Sequence, residues 1–262
     1  MLELIDRGSC TGAHPTPLLF VHGACHAAWC WEEHFLGYFA DKGYRSIALS
    51  LRGHGGSGLD GKPLNACSIA DYVEDIRAVI GQLPAHPVLI GHSMGGFIVQ
   101  KHLQTTSAPA AVLLSSAPPR TWFVRFMWAG RRHPWLGLKY TVTRNALTLY
   151  PQAAFVREAL FSPGTPEPVV QRCFERIQDE SFRALNTDMG FRDLVGTRMV
   201  TTPLLVLEGD RVSWGHGVAR DVARAYHTEA EYFADMGHDM MLEPGWETVA
   251  ERIDSWLGDR EL

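Results

Sequence analysis

The chain has 262 residues, 46% of them hydrophobic and 20% charged, with a mean hydropathy of -0.08. It is long enough to bury a full core; its apolar content excludes disorder, and the lack of repeats excludes collagen-like and coiled-coil architectures. A formal net charge of -5 argues against a nucleic-acid partner, because phosphate recognition needs a basic face. The longest apolar runs, such as Leu18 to Val21 and Ala110 to Leu114, fall far short of the roughly 20 residues of a membrane helix, so no stable membrane insertion is expected. The first ten residues carry Glu3 and Asp6 and no apolar signal core, so a cytoplasmic chain is expected. Five cysteines without a CxxC spacing signal neither a disulfide framework nor a zinc site.

In chain order, strand-like runs occupy 17–21, 45–50, 87–90, 111–115, 203–208 and 228–233. Most are continuous Val/Ile/Leu stretches, as strands buried on both faces should be. Helix-like runs lie between them at 31–42, 69–83 with Ser68 as N-cap, 94–105, 218–226 and 246–257. This alternation predicts an α/β fold, a mostly parallel sheet with helices on both faces. The rhythm stops from Pro118 to Thr202, where no strand is evident and Pro134, Pro151, Pro163, Pro166 and Pro168 punctuate the chain. That predicts a helical cap, 118–202, inserted into a core of 1–117 and 203–262.

The segment VLIGHSMGG, residues 88–96, reads as strand, Gly-x-Ser-x-Gly turn and helix. A serine hydroxyl becomes a useful nucleophile when a tight strand-to-helix turn presents it beside a base, and glycines two residues either side let the backbone crowd together. The helix that follows Ser93 directs free N–H groups and a positive dipole end towards the reacting centre. With HGACHAAW (22–29), LRGHGGSG (51–58), GDRVSWGH (209–216) and MGHDMMLEPGW (236–246), the chain resembles the α/β-hydrolase superfamily, serine esterase type, over essentially its whole length. The HGACHAAW segment is similar to the plant methylesterase and hydroxynitrile lyase branch; RGHGGS is more like bacterial esterases and C–C hydrolases.

The resemblance implies an α/β-hydrolase fold and a triad in chain order serine, acid, histidine. Ser93 is the nucleophile and His238, in a Gly-His turn after the last strand, the base. His22, His26, His54 and His92 read as loop-shaping residues. The acid should follow the strand ending at Glu208. Asp210 is preferred with Glu208 as the alternative, although Val212 stands where the family often has a second aspartate. Asp235 and Asp239 are too close to His238 in sequence to orient its ring. The backbone N–H groups of Ala24 and Met94 are implied as the oxyanion donors.

The run Gly53 to Gly58 formally matches GxGxxG, but loop rather than helix follows, so no dinucleotide site is read. Neither a metal nor a cofactor is expected. Between Asp75 and Glu158 there is no acid but nine Lys or Arg residues. Six of these bases, Arg120, Arg125, Arg131, Arg132, Lys139 and Arg144, stand in the cap beside Trp122, Phe123, Phe126 and Trp128, read as a candidate apolar acyl pocket under a cationic rim, as a face packed on the sheet, or as an interfacial membrane contact. The expected activity is hydrolysis of a small-molecule carboxylic ester or thioester with an apolar acyl part, through an acyl-enzyme. C–C bond hydrolysis, perhydrolysis and cofactor-free oxygenation use the same triad, and a non-catalytic small-molecule receptor could keep the fold. An aspartate nucleophile, as in epoxide hydrolases and haloalkane dehalogenases, is excluded by Ser93. The lysine and threonine of hydroxynitrile lyases are replaced by Asp239 and Gly23. Oligomeric state is not legible in the sequence.

Overall fold

The computed structural model describes residues 1–120, 131–213 and 217–262. Its sheet has seven strands in the order β1-β3-β2-β4-β5-β6-β7. These are β1 (Leu4–Arg7), β2 (Leu18–Val21), β3 (Ser46–Leu49), β4 (Val88–His92), β5 (Ala111–Leu114), β6 (Leu204–Gly209) and β7 (Ala230–Phe233). β1 runs antiparallel to β3, and every other neighbouring pair is parallel. Every residue of β2, β3, β4 and β5 is buried, as their unbroken apolar runs require in a sheet covered on both faces. The edge strand β1 has no such run: Leu-Ile-Asp-Arg is mostly exposed, and its two charges hid it from a reading based on apolar patterning.

The helices that frame the nucleophile are α1 (Trp29–Glu32), α2 (Phe35–Asp41), α3 (Ile69–Ile80) and α4 (Met94–Leu103). The single helix expected over 31–42 is broken before α2 at His34, whose φ of -141° leaves the helical region. α3 opens on a reciprocal capping box: Asp71 N–H donates to Ser68 Oγ at 3.1 Å and Ser68 N–H to Asp71 Oδ2 at 2.7 Å. Helices Val218–Ala225 and Trp246–Gly258 complete the layers.

Between β5 and β6 the described residues form helices Pro134–Thr143, Ala153–Leu160 and Glu167–Arg176 and a π-helix, Arg183–Arg192, with no strand among them. Pro134 and Pro168 fall in the first two positions of their helices. An N–H there has no carbonyl within the helix, so its loss is harmless. Buried acids fasten this insertion to α3 and to the loops that carry Cys25 and His54. Glu180 accepts from the Tyr72 hydroxyl at 2.6 Å and from Cys25 N–H at 3.4 Å, with His54 Nε2 3.2 Å away. Asp188 accepts from Ile69 N–H at 3.1 Å, at the opening of α3.

Candidate active site

Ser93 sits between β4 and α4 with φ 52° and ψ -116°, outside the regions an L-residue prefers, and the turn is held by its surroundings. Ser93 N–H donates to Leu114 O at 3.1 Å, and Ser93 O accepts from Phe97 N–H and Ala117 N–H at 3.2 and 3.0 Å. A Cβ on Gly91 would lie 2.7 Å from Gly95 O, and one on Gly95 would lie 2.3 Å from Val21 O. The glycines therefore let three backbone segments converge under the serine. On the facing loop, a Cβ on Gly23 would lie 2.9 Å from Ser93 Cβ, so the backbone entering Ala24 passes directly over the nucleophile. Met94 is the first residue of α4, and its N–H has no helical acceptor.

Ser93, Met94, Ala24 and His238 line one cavity with about 40 Å³ of room for the centre of a water molecule. Ala146, Leu149, Tyr150, Leu160, Leu185 and Met189 from the insertion roof it. His238 is buried and its backbone is fixed by the insertion, since Leu160 O accepts from both His238 N–H and Asp239 N–H at 2.8 and 2.9 Å. Below it, Glu243 accepts from Gly237 N–H at 2.9 Å and from Ser162 Oγ at 2.6 Å.

The end of β6 lies against the segment that carries His238. Arg211 N–H donates to Met236 O at 2.8 Å, and a Cβ on Gly209 would lie 2.5 Å from Gly237 O. Asp210 stands between these contacts; its Oδ1 is shielded from solvent without a hydrogen bond, 3.5 Å from Arg211 Nε. Glu208 is buried and turned towards the helix at 218–225, where its Oε2 accepts from Ala219 N–H at 3.2 Å. Trp122, Phe123, Phe126 and Trp128 lie outside the described residues.

Sequence reading did not anticipate how the other histidines are tied together. Asp239, which also lines the cavity, is engaged by two of them: its Oδ2 lies 3.0 Å from His26 Nε2, and its Oδ1 3.6 Å from His92 Nε2. His92 Nε2–H donates to His238 O at 3.1 Å. His26 Nδ1 faces Ala24 O at 2.9 Å, so both ring nitrogens meet oxygen acceptors and the imidazolium is the fitting form. His22 Nε2 accepts from Leu51 N–H at 3.0 Å, which makes its Nδ1, 2.8 Å from Gly23 O, the protonated nitrogen. His26, Cys173 and Asp239 bring N, S and O atoms within 4.8 Å of one another, and His92, His238 and Asp239 likewise gather two N atoms and an O; the His26–Asp239 hydrogen bond accounts for the first grouping. Asp239→Asn is expected to lower folding stability by about 3–5 kcal/mol, because it leaves a buried imidazolium unanswered. Urea denaturation would measure it, and an unchanged midpoint and slope would refute the pair.

The buried histidines divide into two groups. Burial pushes His238 down to about 3, helped by the charge of His26, and His92 likewise to about 3, helped by His238. Burial and Arg77 lower His102 to about 4, and burial and His54 hold His22 well below the ordinary histidine value. Burial pulls His26 and His54 the same way, but Asp239 holds His26 well above that value and Glu180 raises His54. Below about pH 6.5 the unfolded chain takes up protons that the first group refuses, so stability falls towards acid by about 1.4 kcal/mol per pH unit per proton. Above about pH 6.5 the native state alone keeps protons on His26 and His54, and that advantage is lost as pH rises through their folded values. Melting temperature measured from pH 5 to pH 9 is therefore expected to peak near neutrality; a monotonic rise across that range would contradict the assignment.

The sequence profile described as the alpha/beta hydrolase family matches residues 18–252. Methylesterase 10 of Arabidopsis thaliana is 34% identical over 106 residues, covering 38% of this chain and 37% of that protein. Methyl jasmonate esterase 1 of Vitis vinifera is 37% identical over 83 residues, 31% of each. Non-heme chloroperoxidase of Burkholderia pyrrocinia is 37% identical over 111 residues, 39% of this chain and 38% of that one. The matches thus span about a third of the length of these relatives. Among solved structures, the putative non-heme bromoperoxidase BpoC from Mycobacterium tuberculosis superposes with a TM-score of 0.78 at 21% identity, covering 99% of this chain and 96% of that one. A thermophilic esterase from Thermogutta terrifontis gives 0.75 at 21% identity, with 100% and 94% covered. These two likenesses concern the fold.

Proposed function

The chain belongs to the alpha/beta hydrolase family, and from that premise we propose that it hydrolyses a small carboxylic ester through a Ser93–His238–Asp210 triad and an acyl-enzyme. The observation that carries this reading is the strained Ser93 turn opening into a cavity shared with a buried, neutral His238. Ser93 Oγ attacks the ester carbonyl while His238 takes its proton, then passes it to the departing alkoxide; water repeats the sequence to release the acid. Asp210 Oδ1, shielded and without a hydrogen bond, is the acceptor that would hold the imidazole N–H and its tautomer. Glu208 is less suited, because its Oε2 already serves Ala219.

The N–H groups of Ala24 and Met94 receive the developing oxyanion in this reading. Ala24→Pro removes one donor and is expected to cost 10²- to 10³-fold in kcat, measured beside Ala24→Gly, which keeps the N–H; equal loss in both would argue against the donor. The helices of 118–202 act as a cap. With so little room beside Ser93, a short acyl group or methyl ester fits better than a long chain, in keeping with relatives named methylesterases. A series of nitrophenyl esters tests this, with activity expected to fall beyond the shortest acyl groups and labelling of Ser93 by a fluorophosphonate expected in parallel. Absence of the adduct and of turnover on every ester would favour a receptor instead. Likeness to a named chloroperoxidase supports perhydrolysis as the second reading, hydrogen peroxide replacing water in deacylation to give a peroxy acid.

A further inference from the structure

We propose that the outer face of helix Pro134–Thr143 docks on an anionic lipid surface. Trp135, Leu138 and Val142 are 73%, 54% and 75% exposed. At 100° per residue these three positions fall within an arc of about 60°, forming one apolar stripe. Tyr140, on the opposite side, is 1% exposed and holds the helix down through Asn186 Nδ2 and a ring contact with Phe182 at 5.3 Å. Among the described residues, the stripe is therefore the uncovered side of the helix.

The surrounding charge is mostly positive. Lys139 borders the stripe, Arg131 and Arg132 precede the helix, Arg144 closes it, and all four are exposed. Arg132 and His133 share Glu158 at 3.4 and 2.8 Å, while Lys139 and Arg131 form no ion pair among the described residues. No acid occurs in the sequence from 76 to 157, and Glu158 is the one acid paired with these bases among the described residues. An apolar stripe led by a tryptophan and rimmed by bases matches the headgroup region of an anionic bilayer, where the rings and aliphatic groups sink in and the bases stay at the phosphates. A second copy of the chain is a poorer occupant: a two-fold contact would bring like charges together, and three side chains are far less than a stable dimer buries. The helix leads directly into residues 146–150, of which Ala146, Leu149 and Tyr150 roof the cavity.

The test is co-sedimentation of the full chain with vesicles of neutral phosphatidylcholine and of the same lipid containing 30% phosphatidylglycerol. Binding is expected to the anionic vesicles, with at least tenfold weaker partitioning on the neutral ones and at 0.5 M salt, since each base adds about fivefold. Joint replacement Trp135→Ala, Leu138→Ala and Val142→Ala, with the far-ultraviolet spectrum unchanged, should abolish the binding but spare turnover of a soluble ester. Quenching by brominated lipid should be weaker in Trp135→Phe than in the wild type. Equal binding by wild type and triple variant would overturn the proposal, as would no binding to either vesicle. A dimer in light scattering that the triple variant loses would assign the stripe to self-association and overturn it too.

Discussion

Ser93→Ala is expected to lower turnover of a short nitrophenyl ester by roughly 10⁶-fold, about 8 kcal/mol in transition-state stabilisation, with the melting temperature nearly unchanged. The two halves of this expectation have separate physical origins. The turn is maintained by backbone hydrogen bonds through Leu114, Phe97 and Ala117 and by the close approaches at Gly91 and Gly95, none of which uses the hydroxyl. Alanine tolerates φ 52° no better and no worse than serine, because both carry a Cβ. Only the nucleophile is lost, and the remaining activity is what oxyanion donors and binding supply to water. Initial rates on purified protein, active-site titration with a fluorophosphonate and a melting curve measure all three. Wild-type esterase activity in the variant would end the serine mechanism; a large fall in melting temperature would mean that Oγ has a structural role not evident in its contacts.

Which parts of this site were readable in the sequence follows from the range of the interactions that define them. The turn at Ser93 and the Ser68 capping box were legible because each rests on spacings of two or three residues: Gly91 and Gly95 around Ser93, Asp71 after Ser68. β2 through β6 were legible because burial on both faces demands unbroken apolar runs. β1 was not, because an exposed edge strand needs only hydrogen bonding to β3. The histidine network was opaque for a different reason. His26 and Asp239 are 213 positions apart, and Glu180 meets His54 and Tyr72 only once the insertion has closed over the sheet. Composition distinguishes no one of the 12 histidines from another; what raises His26 is the Asp239 carboxylate 3.0 Å from its Nε2, whereas burial lowers His238. The aromatic residues at 122, 123, 126 and 128, which the sequence marks for the substrate, lie outside the described residues; the insertion's described share of the cavity wall comes from residues 146–189.

Asp210→Asn is expected to reduce kcat by about 10⁴-fold near neutral pH, whereas Glu208→Gln should leave it within a few-fold. A carboxylate beside the imidazole does two things that an amide cannot: it accepts the ring N–H whatever its rotamer, and it stabilises the imidazolium that forms as Ser93 is deprotonated. Asparagine has one acceptor and one donor end; with the donor towards the ring, the wrong tautomer is held and Nε2 cannot act as a base. The charge term applies here with unusual force, because His238 is buried and already pushed down to about 3 by burial and by His26. An uncompensated imidazolium would be strongly disfavoured in that setting, so the acid has a large gap to close. Glu208 makes the discriminating control. It is as close to the end of β6, but its Oε2 is held by Ala219 N–H, so Glu208→Gln should register in urea denaturation rather than in kcat. The pH profile separates the roles further: as pH rises, activity of Asp210→Asn should recover in part as hydroxide takes the place of the lost base, and that of Glu208→Gln should follow the wild type. The reverse pattern, with Glu208→Gln inactive and Asp210→Asn near wild type, would move the acid to the last residue but one of β6.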